Sequence, residues 1–119
     1  MELKKVGFFR DLAYGDTFEI AIKDHVGIGR CSDKYKVLLY LDAGVPFIVS
    51  PGPSRDILDK QRKIIGPLAI FTDGIYAWPA DLSYYVKNYC APLPDHFIGH
   101  MQASNWLIDY VDAHKLEMD

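Results

Sequence analysis

The stretch Leu68 to Tyr89, LAIFTDGIYAWPADLSYYVKNY, constrains the fold of this chain more than any other. It reads as a strand, a tight turn, a second strand and a helix. Asp73-Gly74 is a two-residue hairpin signal, because a type I′ turn needs positive φ at both central positions. Leu68 to Phe71 and Ile75 to Trp78 supply apolar and aromatic flanks suited to strands. Pro79 stops the second strand, having no N–H for a ladder. Asp81 or Pro79 then opens a helix that ends near Tyr89.

The rest of the chain is punctuated in the same way. Phe18, Ile22 and Val26 recur every four residues and favour a helix, which Asp16 or Thr17 caps and Gly27 or Gly29 ends. The alternation Phe18, Ile20, Ile22 is the competing strand signal. Ser32 or Asp33 caps a helix from Lys34 to Ala43 with Val37, Leu38 and Leu41 as its buried stripe, and Gly44 stands where a left-handed residue closes it. Pro46 to Ser50 reads as a short strand, Ser50-Pro51-Gly52-Pro53 as a stiff turn, and Ser54 as the cap of a short helix through Leu58. Pro92 and Pro94 bracket another turn. Asp95 caps a last helix with Phe97, Ile98, Met101 and Leu107 inside. The tail from Asp109 to Asp119 is expected to fray or lie on the surface. The sum is a single α+β domain over residues 1–119: four or five helices packed on a small, mainly antiparallel sheet of about three strands, with a β-hairpin at 68–78.

Composition excludes several classes of function. With 16 acidic against 13 basic residues, the chain lacks the concentrated basic face a phosphate backbone requires, so no nucleic-acid partner is expected. No apolar run is long enough to span a bilayer, and MELKKVGFF has neither the apolar core nor the cleavage site of a signal peptide. A cytoplasmic location follows as the expectation, with Cys31 and Cys90 as free thiols.

Four places hold residue types capable of chemistry. His96 and His100 share one face of the last helix, with Cys90 six residues before His96. This is the best metal-ligand grouping in the chain, but without a CxxC or a suitably spaced carboxylate it falls short of a zinc motif, and no metal or cofactor is expected. Cys31 with His25, or Cys90 with His96, are the conceivable thiol–imidazole pairs, although catalytic partners are usually neighbours in space rather than in sequence. The segment from Ser50 to Asp56 resembles an anion loop only loosely, because its prolines remove the N–H groups a phosphate needs. The densest aromatic group is Tyr76, Trp78, Tyr84, Tyr85 and Tyr89. Trp78 with Tyr85 or Tyr89 is expected to pack between hairpin and helix, and the others are available as contacts.

The run Phe71-Thr72-Asp73-Gly74-Ile75-Tyr76-Ala77-Trp78-Pro79-Ala80-Asp81-Leu82, followed by Tyr84-Tyr85-Val86 and Leu93-Pro94-Asp95-His96-Phe97, resembles a group of small bacterial proteins with a TDGxYxWPxDLxYYV core and no assigned catalytic residue. Phe8-Phe9-Arg10-Asp11-Leu12, Tyr14-Gly15-Asp16, Tyr40-Leu41, Ala43-Gly44 and Ser54-Arg55-Asp56 match the upstream layout of that group. In size and acidity the chain is also similar to immunity proteins of bacterial toxin and contact-dependent growth inhibition systems. That second resemblance implies a cofactor-free antitoxin that binds and occludes a cognate toxin domain, for example a nuclease. On this reading Asp109, Asp112 and Glu117 supply charge, and Tyr76, Trp78 and Tyr84 supply contact area. The alternative is a small metal-dependent or thiol hydrolase using His96, His100 and Cys90. A homodimer with the aromatic hairpin as its self-interface is the third reading.

Overall fold

A computed structural model describes residues 2–16, 19–27 and 33–118. It is an α+β fold whose sheet has four strands in the order β1-β4-β3-β2. The strands are β1 (Lys4–Lys5), β2 (Val45–Arg55), β3 (Ile64–Thr72) and β4 (Tyr76–Pro79). β1 runs parallel to β4, whereas β4 with β3 and β3 with β2 are antiparallel. Three α-helices are described, α1 (Lys34–Asp42), α2 (Leu82–Tyr89) and α3 (Asp95–Ala103), with short 3-10 turns at Ile22–Asp24 and Ala113–Lys115.

The α+β class, the hairpin, α1, α2 and α3 agree with expectation. The number of helices does not: among the described residues three are found in place of four or five, on a mixed sheet of four strands. The helix expected at 17–26 has its first residues, Thr17 and Phe18, outside the described residues. Beyond them the chain makes a single 3-10 turn, held by the Asp11 carboxylate, which accepts from the N–H groups of Ile22 and Lys23. Of the four-residue spacing, Ile22 is buried but Val26 is exposed, so the described residues form no buried helical stripe there.

The helix expected after Ser54 is absent as well. Ser54 and Arg55 belong to β2, and the Ser54 hydroxyl donates to Asp81 Oδ2 at 2.5 Å rather than to a helix N-terminus. The apparent turn at 50–53 is a bulge within that strand. Val49 pairs with Ala69 and Pro53 with Pro67, so two extra residues of β2 loop out, with Gly52 at φ 95°. Prolines survive here because β2 lies at the sheet edge, where missing N–H groups break no ladder.

The hairpin turn also differs in kind. Gly74 has positive φ and Asp73 does not, so the turn is not type I′. Side chains build it instead. Asp73 Oδ1 accepts from the N–H groups of Ile75 and Tyr76, and the Thr72 hydroxyl donates to the Tyr76 carbonyl while accepting from the Gly74 N–H.

The helices cover one face of the sheet. Trp78 is completely buried there, its ring 5.4 Å from Phe97 and 6.0 Å from Tyr40, and its indole N–H donates to the Leu41 carbonyl. Gly44 does not adopt a left-handed conformation. It is glycine because a Cβ would come within 2.6 Å of Trp78 Cζ2 and 2.8 Å of Phe71 Cβ. Along β4 the side chains alternate, so Ala77 faces the other side, where Leu3, Phe8 and Ile70 are buried beneath Tyr14, Phe47, Leu116 and Met118. The chain ends therefore form a third layer over the sheet. The tail is not frayed: the Leu3 N–H donates to the Glu117 carbonyl at 2.8 Å, and Glu2 and Glu117 form a parallel bridge.

Candidate interaction surfaces

The six expected contact residues are scattered by the fold. Tyr76 and Trp78 lie in the core, 4% and 0% exposed, so neither presents a face to a partner. Both sit on β4, which lies between β1 and β3 and is covered on both faces. Tyr84 is half-buried on α2, while Asp109 and Glu117 are exposed and Asp112 half-buried on the C-terminal segment.

Tyr84 belongs to a network centred on a buried carboxylate. Asp56 is 0% exposed, and its Oδ2 accepts from the hydroxyls of Tyr84 and Tyr89, each at 2.7 Å. Its Oδ1 accepts from the Leu58 N–H at 2.8 Å. Burial pushes the Asp56 carboxyl up, but these hydroxyls and the N–H groups of Leu58 and Asp59 outweigh it and hold it below the ordinary carboxylate range. The same bonds push the Tyr84 and Tyr89 phenols up to about 12, because ionising either would set a second negative charge beside Asp56. Tyr85, buried beneath them, donates to the Arg55 carbonyl and accepts from the Ile57 N–H. The network ties α2 to the end of β2 and the loop after it.

The hairpin turn carries a second cluster. Asp73 Oδ2 accepts from the Tyr40 hydroxyl at 2.5 Å and pairs with His100 Nε2 at 3.1 Å. His96 Nδ1 lies 2.8 Å from the Tyr76 hydroxyl. Burial, and then the hydrogen bond to Asp73, push the Tyr40 phenol up. Each histidine is thus engaged by its own partner. Among the described residues no three His, Cys, Asp or Glu side chains group as a metal cage. Cys90, the expected third member, is disulfide-bonded rather than a free thiol, which removes it as nucleophile or metal ligand. Cys31 lies outside the described residues, and with it the pairing with His25, whose ring contacts the Ala21 carbonyl.

Asp81 precedes α2 but does not cap it with its side chain. Its Oδ1 is buried without a hydrogen-bond partner, and burial pushes the carboxyl up.

Two surfaces expose aromatic and apolar side chains from anchored backbone. One is the C-terminal segment after α3. Trp106 and Ile108 pack on the helix-side core, and Leu116 and Met118 pack on the opposite one. The Trp106 N–H returns to the Met101 carbonyl at 2.8 Å, closing α3 through left-handed Asn105 and Trp106. Between these anchors Tyr110 is 92% exposed and Leu107 66% exposed, beside Asp109 and Asp112. Asp112 accepts from the His114 N–H and shapes the turn that follows.

The other surface is a groove of about 430 Å³ between α1 and α2, lined by Tyr35, Leu38, Leu39, Ile65 and Tyr84 among others. Sequence reasoning overlooked Tyr35, Leu39 and Tyr110, and it placed Leu107 inside the last helix, whereas α3 ends at Ala103 and Leu107 is exposed beyond it. A signal existed for the first two: they stand four apart on α1, off the stripe formed by Val37, Tyr40 and Leu41. No comparable pattern marks Tyr110.

Comparison of the chain with protein families, with curated proteins and with solved structures finds no match. Among the described residues, no helix is long and apolar enough to cross a membrane.

Proposed function

We propose that this protein acts by docking its C-terminal surface on another protein, most concretely as an immunity-type inhibitor that occludes a toxin domain. The observation that carries the reading is Tyr110, a large aromatic 92% exposed on a segment pinned at both ends. A residue so placed buries much area on binding at small entropic cost, which is what an interface anchor requires. Leu107 extends the apolar contact. Asp109, Asp112 and Glu117 stand on the same segment as acidic neighbours suited to steering a basic partner. Such steering acts over about 10 Å at moderate salt, so these carboxylates need not touch the partner.

The hydrolase alternative loses support from the geometry, because Cys90 is bonded and His96 and His100 are separately engaged. The disulfide also weighs against the expected cytoplasmic location, since reducing compartments keep most thiols free.

The test is to find the toxin domain, if any, that gene neighbourhood sets beside this chain and to co-express the two; a neighbourhood with none counts against the proposal. Relief of killing with co-purification is expected, and Tyr110→Ala should weaken capture about tenfold or more while leaving the fold intact. Unrelieved killing without co-purification ends the proposal.

A further inference from the structure

The groove between α1 and α2 lies on neither of the elements that form the C-terminal surface, and its charges have a direction. The Lys34 ammonium donates to the Lys87 carbonyl at 2.6 Å, which sets the start of α1 beside the end of α2. The two helices therefore run antiparallel. Lys87, with Lys34, stands at one end of the groove, and Asp42, beside Ser83, stands at the other. Between them lie Tyr35, 75% exposed, Leu39, 55% exposed, and the ring of Tyr84. Among the described residues, neither the Asp42 carboxylate nor the Lys87 ammonium has an ion-pair partner within the chain.

We infer that this groove is the interface of a two-fold homodimer. Consider a two-fold axis that lies in the interface plane and crosses the groove at right angles. It lays the acidic end of one copy over the basic end of the other. Asp42 then faces Lys87 of the partner subunit twice, once on each side of the axis. This axis keeps α1 over α1 and α2 over α2, so the outward α1 ridge of Tyr35 and Leu39 packs antiparallel against the same ridge of the partner, beside the groove floor of Leu38 and Ile65. An axis along the groove would instead set like charges against each other. The distribution of charge thus selects one isologous arrangement, and a second copy satisfies it without any further assumption about charge. The Asp56–Tyr84–Tyr89 network holds the α2 wall in place before association, which lowers the entropic cost of docking. Lys63, over the Tyr84 ring at 5.8 Å, is a further cation beside that wall.

The experiment is sedimentation of the full chain across a concentration series, with circular dichroism to confirm that each variant is folded. The wild type is expected to dimerise. Asp42→Lys alone sets lysine against lysine across the axis, Lys87→Asp alone sets aspartate against aspartate, and each should weaken dimerisation about tenfold or more. Mixing the two variants restores both opposite-charge pairs, so the mixture should form a heterodimer. Leu39→Glu should abolish association by placing charge in the apolar centre. A wild type that stays monomeric overturns the inference. So does a dimer indifferent to Asp42→Lys and Leu39→Glu, which would use another face, or a mixture that fails to associate. None of these outcomes bears on Tyr110, so failure here leaves the partner-docking reading standing or falling on its own test.

Discussion

Replacing Asp56 by alanine tests whether one buried carboxylate holds α2 against the sheet. The substitution strands two phenolic hydroxyls and the Leu58 N–H, which lose acceptors at 2.7, 2.7 and 2.8 Å. Hydrogen bonds to a charged acceptor contribute about 1.5–3 kcal/mol each, so simple addition would give roughly 4.5–9 kcal/mol. That sum overstates the loss, because Tyr84 and Tyr89 are half-buried and their hydroxyls can turn to water once the carboxylate is gone. The removed carboxylate also no longer bears its own burial cost. We expect a net loss of about 3 kcal/mol, a large part of the stability of a domain this size. At about 2.1 cal/mol/K per residue of unfolding entropy, that lowers the melting temperature by about 12 °C.

Urea denaturation of the wild type, Asp56→Ala, the double Tyr84→Phe/Tyr89→Phe variant and the triple combination completes a double-mutant cycle. Coupling of about 2 kcal/mol is expected between the carboxylate and the pair of hydroxyls. The pH dependence follows from the sign of the shift. The folded carboxyl sits below its unfolded value, so its contribution is complete above the ordinary carboxylate pKa of about 3.9 and disappears as pH falls through the lower folded value. The gap between wild type and Asp56→Ala should therefore be constant from about pH 5 to pH 8 and close in acid. A cost under about 1 kcal/mol, or no coupling in the cycle, would refute the network as a structural support.

Two further substitutions probe the core and the unpartnered acid. Gly44→Ala drives a methyl into Trp78 and Phe71, and calorimetry should show a destabilisation of about 1–3 kcal/mol, the usual cost of overpacking. Asp81→Asn should raise the melting temperature at pH 7, because burial pushes the wild-type carboxyl up and its ionised form is costly in the fold. A raised folded pKa means that the wild type recovers this loss as pH falls, so the advantage of the variant should shrink on acidification. A variant that melts lower than the wild type at pH 7 would show that the Ser54 hydrogen bond matters more than the buried charge.

Local devices were legible, and long-range ones were not. The hairpin and α2 could be read because Asp73-Gly74 and Pro79 act within a few residues of themselves, even though the turn is closed by the Asp73 and Thr72 side chains rather than by two left-handed residues. The 50–53 segment misled because Pro51, Gly52 and Pro53 have the composition of a turn. Only the position of β2 at the sheet edge, a property of the assembled sheet, lets a strand run through them. The parallel pairing of β1 with β4 joins residues about seventy positions apart and leaves no local trace.

The aromatic group misled for a reason that bears on function. A dense run of aromatic and β-favouring residues is what an interior strand requires, since such a strand is covered on both faces. Tyr76 and Trp78 are concentrated for that reason and are spent on the core. The most exposed aromatics, Tyr35 and Tyr110, stand apart from other aromatic residues, Tyr35 between Lys34 and Lys36 and Tyr110 between Asp109 and Val111, where no periodic pattern announces them. In this domain, the density of aromatic residues marks the centre of the fold, and the exposed aromatics are the isolated ones on well-anchored backbone.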